Sequence, residues 1–207
     1  MATRSSYVIR ALPGISGDSA NGVLVASPRG RMLDAMTASV AENGYPATSV
    51  GDVIKRARAS RSTFYEQFTD KEDCYLAAYR LASDHVAGCL AEAAQTTAAN
   101  PSERLARIFD AYLTELARYP LAARAFLVEI RAAGAPSQQH HRAVVDQFAE
   151  LLRIPGGDED RLARLAVVAL TDELVVREMT DHGVEQLPKL APALNKLAAR
   201  IVTPGAH

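Results

Sequence analysis

Two short, separately capped helical signals joined by a tight turn constrain this chain more than anything else in it. Ser49 starts the first, with Asp52 three residues on as the reciprocal acid of a capping box. Val50, Val53, Ile54 and Ala57 make its apolar stripe, and Arg58-Ala59 closes it. Ser60 caps the second, in which Phe64 and Phe68 stand four residues apart and therefore share one face. Arg61, Ser62, Thr63, Tyr65 and Gln67 are left wholly or partly free to face outward. Two helices this short cannot be stable alone, so each must be held by packing. Joined by a tight turn within about 20 residues, they form the geometry that lays the second helix in a DNA major groove.

Charge makes that reading local rather than global. Lys and Arg total 23 against 24 acidic residues, a formal net charge of −1, so the chain is no general polyanion coat. Lys55, Arg56, Arg58 and Arg61 nevertheless cluster around the turn. Near the N-terminus of the second helix, Arg suits guanine, and Ser or Thr suits a base or a phosphate. Asp70 caps a fourth helix, with Asp73 at its third position, and Lys71 with the amides opening that helix suits a phosphate.

The rest of the chain reads as helix after helix. Residues 1–27 carry scattered Gly, Ser and Asn with no apolar period and are expected to form a flexible arm, in which Arg4 and Arg10 are candidate groove contacts. Ser27 and Pro28 open a first helix, Leu33, Met36 and Val40 give it a stripe, and Asn43-Gly44 ends it. Beyond residue 74, Asn100-Pro101, Pro120, Gly134 to Pro136, Pro155 to Asp158 and His182-Gly183 punctuate long Ala- and Leu-rich segments. No stretch alternates with period two. The expected fold is all-α: the arm over 1–27, a three-helix DNA-binding domain over 28–73, and a helical domain over 74–207.

The stretch from Asn43 to Ile54, followed by Ser60-Arg61-Ser62-Thr63-Phe64-Tyr65-Glu66-Gln67-Phe68-Thr69-Asp70-Lys71-Glu72, resembles the TetR family of repressors. The resemblance is specific over about 28–73 and architectural beyond. It implies that Thr63 and Tyr65 contact DNA, Tyr65 chiefly at the backbone. Arg61 and Ser62 would lie nearest base edges, Ser49 and Lys71 would hold phosphates, and Thr48 and Gln67 would flank. Two positions depart from the family pattern. Arg58 stands at a turn position usually filled by Gly, which implies a positive φ costing roughly 1–2 kcal/mol. Gly51 offers no side chain where some members read sequence.

The same resemblance implies a ligand cavity and a dimer interface in 74–207. Tyr75, Tyr79, Phe109, Tyr112, Phe126 and Phe148 are candidates to line an apolar pocket or simply to fill core, with Thr171 as a polar lining group. Leu170, Leu174, Leu190, Leu194, Leu197 and Ile201 keep helical spacing on the last two long helices, where the family places its subunit seam. Asp172, Glu173 and Arg177 are open between pocket, seam and solvent. The implied function is a homodimeric, ligand-responsive repressor that binds a palindromic operator and is released by a small, largely apolar effector. The alternative is a helical small-molecule binder without DNA affinity, and regulation could have either sign.

Other classes lack their residues. The five His show no HExxH or related spacing, His140-His141 reads as surface polar, and neither a phosphate loop nor a nucleophile elbow is present. No catalytic, metal or cofactor site is therefore expected. Cys74 and Cys89 lie 15 residues apart, roughly 22 Å along one helix, which rules out a bond between them there. No apolar run reaches a membrane span's length, and the N-terminus is no signal peptide, so a cytoplasmic protein is expected.

Overall fold

The computed structural model describes residues 27–95, 100–152 and 158–202, without the side chains of 158–160 and 201–202. The arm expected over 1–27 lies, Ser27 apart, outside the described residues. The protein is all-α, and no strand occurs among the described residues. Helices α1 (Pro28–Asn43), α2 (Val50–Ala57) and α3 (Arg61–Gln67) form the head. Helix α4 (Lys71–Gln95) spans about 37 Å and runs from the head into the body. The body continues with α5 (Pro101–Arg118), α6 (Pro120–Ala123), α7 (Ala135–Leu151), α8 (Asp158–Asp181) and α9 (Ala191–Val202).

The caps are those the sequence expects. The hydroxyls of Ser27, Ser49 and Ser60 accept from the amides of Gly30, Asp52 and Thr63, and Asn100 caps α5 through the amide of Glu103. Asp52 returns the favour to the Ser49 amide at 2.8 Å, completing the capping box. Each such cap contributes about 1 kcal/mol, a large share of what an eight-residue helix needs.

Two apolar clusters hold the fold. The first joins the head to the front of α4 and to α6: Met32, Met36, Val40, Val53, Phe64, Phe68, Tyr75, Phe126 and Ile130 are all buried in it. Packing therefore does not break at residue 73. The second lies in the body, where α5 supplies Ile108, Phe109, Leu113 and Leu116 against Val167 and Val175 of α8 and Leu194 of α9.

Two irregular segments lie outside the sequence reading. After α6 the chain makes a π turn, Arg124–Val128, and then a 3-10 turn, Glu129–Ala132. The cause is visible in the hydrogen bonds. The Tyr75 hydroxyl donates to the Ala125 carbonyl at 2.7 Å, and the Glu129 amide reaches back to Arg124 instead. A second 3-10 segment, Val184–Leu190, contains Pro188 and precedes α9.

Candidate nucleic-acid interface and adjoining cavity

Helix α3 is held from behind. Phe64 is fully buried, its ring 5.5 Å from that of Phe68, and Phe68 seals the helix end. Two arginines of α1, with no place in the sequence reading, fasten the carbonyl ends of the short helices. Arg29 donates to Gln67 O at 2.9 Å while its guanidinium sits 4.4 Å from the Phe68 ring centre. Arg31 donates to Ala57 O at 3.2 Å. Cations at helix C-termini oppose the negative end of the dipole, so these contacts stabilise both helices of the motif.

The front face is open. Arg61, Ser62, Tyr65, Glu66 and Gln67 are exposed, Tyr65 by 50%. The Ser60 hydroxyl contacts those of Ser62 and Thr63, each at 2.7 Å, which keeps the small side chains of the first turn close to the helix. Exposed Ser49 caps the start of α2, its hydroxyl 2.6 Å from the Asp52 carboxylate. Within the basic cluster Arg56 is spent on Glu42 at 2.6 Å, whereas Lys55, Arg58 and Arg61 are exposed. Arg58 has φ 51° and ψ 48°, the left-handed conformation its position implies.

Two expected contacts are placed differently. Thr48 is only 2% exposed, and its hydroxyl donates to Gly44 O at 2.8 Å, so its side chain faces inward. Lys71 donates to Tyr45 O at 2.9 Å and lies 4.2 Å from the Tyr45 ring centre, which ties the start of α4 to the turn before α2. Spacing alone shows neither, because both depend on how that turn folds back.

In the body, Tyr79, Phe109, Tyr112, Phe148 and Thr171 border one apolar cavity of about 50 Å³. Phe126 borders a second of about 60 Å³, which shares Tyr79, Tyr112 and Phe148 with the first. The Thr171 hydroxyl is turned back onto Val167 O at 2.7 Å. Polarity enters from residues the sequence reading assigned elsewhere or left open. His141, expected on the surface, is half-buried on the cavity wall, with Nδ1 2.7 Å from the Tyr79 hydroxyl. Its Nε2 lies 3.8 Å from Asp172. Burial pushes the Asp172 carboxyl above its ordinary range, against the opposing pull of His141 and Arg131. Burial likewise pushes the Tyr79 hydroxyl upward, so it stays protonated. Asp172 thus faces the cavity, whereas Glu173 is exposed and pairs with Arg131 at 2.9 Å.

Of the leucines expected on a subunit seam, Leu170 and Leu174 are exposed, by 42% and 37%. Leu190 and Leu197 are half-buried, and the Ile201 side chain is outside the described residues. Leu194 is 2% exposed, because α9 packs against α5 and α8 and turns it into the body's own core.

A braced helix-turn-helix on an all-helical body is the build of a DNA-binding transcriptional regulator. Residues 32–78 match the family model of the bacterial regulatory proteins of the tetR family. Solved structures extend the likeness in fold along the body. The fatty acid degradation regulator FadR of Bacillus halodurans is 18% identical, with a TM-score of 0.73 over 88% of this chain and 98% of that one. FadR of Bacillus subtilis, in complex with stearoyl-CoA, is 21% identical, with a TM-score of 0.68 over 86% and 98%. SmeT, repressor of the multidrug efflux pump SmeDEF of Stenotrophomonas maltophilia, is 16% identical, with a TM-score of 0.67 over 88% and 96%. No curated protein matches the chain by sequence. No helix among the described residues is long and apolar enough to cross a membrane.

Proposed function

We propose that this chain is a cytoplasmic, homodimeric repressor that binds a palindromic operator through α3 and is released when an amphiphilic small molecule enters the body. The observation that carries the reading is the division of α3 into a buried Phe64 and an exposed Arg61, Ser62, Tyr65 and Gln67. A helix seven residues long with its back sealed and its polar front bare is built to be read against. Arg61 and Ser62 take base edges, while Thr63, Tyr65 and Ser49 take phosphates. Functionally the chain divides near residue 73, into a DNA-reading head and a sensing body, although packing joins the two.

A second copy is the proposed occupant of the exposed face of α8. Leu162, Leu170 and Leu174 fall on one side of that helix at intervals of eight and four and are 65%, 42% and 37% exposed. Apolar side chains so arranged are typical of a helical seam between subunits. Two-fold symmetry then sets two α3 helices about one DNA turn apart and makes the operator palindromic.

The effector is an amphiphile with an apolar body and one polar end. That class follows from the apolar walls and the Tyr79–His141–Asp172 corner, and the complex of Bacillus subtilis FadR with stearoyl-CoA supports it. Two cavities of about 50 and 60 Å³ are far smaller than such a molecule, so its entry must part their walls. One of those walls is the irregular segment after α6: Phe126 and Leu127 border the cavities, while its neighbours grip the head. Arg124 donates to Ala41 O at 2.8 Å, and Glu129 accepts from the Tyr45 amide at 3.0 Å. A π turn running into a 3-10 turn is a frequent site of functional movement. An effector that favours a shifted segment weakens operator affinity by the same factor that operator weakens the effector.

Selection of duplexes from a random pool by the purified protein tests the reading. The expected product is a palindrome bound with a steep, linear dependence of log affinity on log salt concentration. Failure to hold any duplex at low ionic strength overturns it. Titrating a long-chain fatty acid, and separately its CoA thioester, into the preformed complex tests release; a set of such amphiphiles without effect removes that part alone.

A further inference from the structure

We propose a divalent transition-metal site, of the zinc type, formed by His85 and Cys89 of α4 and Glu115 of α5. His85 and Cys89 are one helical turn apart and point to the same side, with Sγ 3.6 Å from His85 Nε2. Glu115 Oε2 approaches the same nitrogen to 2.8 Å from the neighbouring helix. The three donor atoms all lie within 4.8 Å of one another. Tetrahedral zinc with bonds of about 2.0–2.3 Å holds neighbouring donors roughly 3.3–3.6 Å apart. The His–Cys pair already has that separation. The His–Glu pair needs to open by about half an ångström, a shift within reach of a glutamate side chain.

Donor chemistry narrows the ion. Thiolate, imidazole and carboxylate together suit Zn²⁺ or Co²⁺ and disfavour Mg²⁺ and Ca²⁺, which want oxygen alone. Three protein ligands leave the fourth position to water. His85 and Glu115 are mostly shielded, with side chains 20% and 11% exposed, and Cys89 is a free, half-buried thiol. Glu115 Oε1 faces Arg118 at 3.4 Å, which leaves Oε2 as the oxygen directed at the site. Sequence spacing hides the cluster, because its third member comes from another helix 26 residues on. A metal there would fasten α4, the helix that carries the head, to α5 beside the cavity that Glu115 also borders.

Co²⁺ titrated into the full-length protein reads the site directly, since a thiolate ligand gives a charge-transfer band that no oxygen or nitrogen ligand produces. The expected result is one equivalent per chain with that band. Cys89→Ser should abolish the band, and His85→Ala should weaken binding by more than about tenfold, because even supporting residues around a metal are worth that much. Alkylation of unmutated protein keeps the test independent of variant folding. Zn²⁺ should block modification of Cys89 and leave that of buried Cys74 unchanged. Absence of the band together with unprotected Cys89, or a band that survives in Cys89→Ser, overturns the proposal. Operator binding takes no part in these readouts, so the site stands or falls apart from the repressor function.

Discussion

The head and the body are both helical and both built around aromatic side chains, yet they are held in opposite ways. In the head, short helices are fixed at their ends by Ser caps, by Arg29 and Arg31 on carbonyl termini, and by Phe64 and Phe68 from behind. Its polar groups face solvent. In the body, helices are long enough to need few such fixings. Its aromatics border empty space, and its polar groups Tyr79, His141 and Asp172 turn inward. A braced outer surface and an interior with small cavities are what the proposed ligand-responsive regulator requires.

Substitutions at five residues sharpen or break that contrast. Phe64→Ala should cost about 3–5 kcal/mol in urea unfolding, because a fully buried ring leaves a cavity in a small core. Phe148→Ala, whose ring already borders a cavity, should cost clearly less; equal losses would erase the distinction between tight head and loose body. Arg61→Ala should leave the melting temperature unchanged and weaken discrimination at one operator base by about 1–3 kcal/mol, measured by competition between duplexes. A matching fall in stability would mean that Arg61 is structural. Arg58→Gly should raise stability by roughly 1–2 kcal/mol, since glycine adopts φ 51° without the clash that arginine suffers. Asp172 gives a smaller, pH-dependent effect. Its carboxyl is raised on folding, so the stability it adds is present below the unfolded pKa and is lost as pH rises through the folded one. Asp172→Asn removes that loss. The variant's stability relative to the parent should therefore climb as pH rises above the ordinary carboxylate range, and a flat difference would show that the proton is not held.

The head was legible because its signals are local. Ser49 with Asp52, Ser60 with Thr63, and Phe64 with Phe68 all act within four residues of one another, as does the strained turn at Arg58. The intramolecular bonds of Thr48 and Lys71 were not legible for the complementary reason: they go to Gly44 and Tyr45, and a turn's path is not written in periodicity. In the body, helix boundaries followed from Pro and Gly, but side-chain direction did not. His140-His141 looks like surface beside Pro136, yet α7 turns His141 onto the cavity. Leu194 keeps the same spacing as Leu190 and Leu197, yet it alone of the three is fully enclosed. The π turn needs the Tyr75 hydroxyl, 50 residues away, and no local pattern announces it.

Tyr45 has a consequence beyond its own turn. Its amide is taken by Glu129, its carbonyl by Lys71, and its ring by Tyr75 at 4.8 Å, so the start of α4 and the turn after α6 converge on one residue. Under the proposed switch, displacing the turn after α6 would pull on this knot, and α1, α2 and α3 would be expected to follow as a block, changing tilt without loosening. Amide exchange within α2 and α3 would stay the same whether the body is filled or empty, even as the grip on DNA is lost.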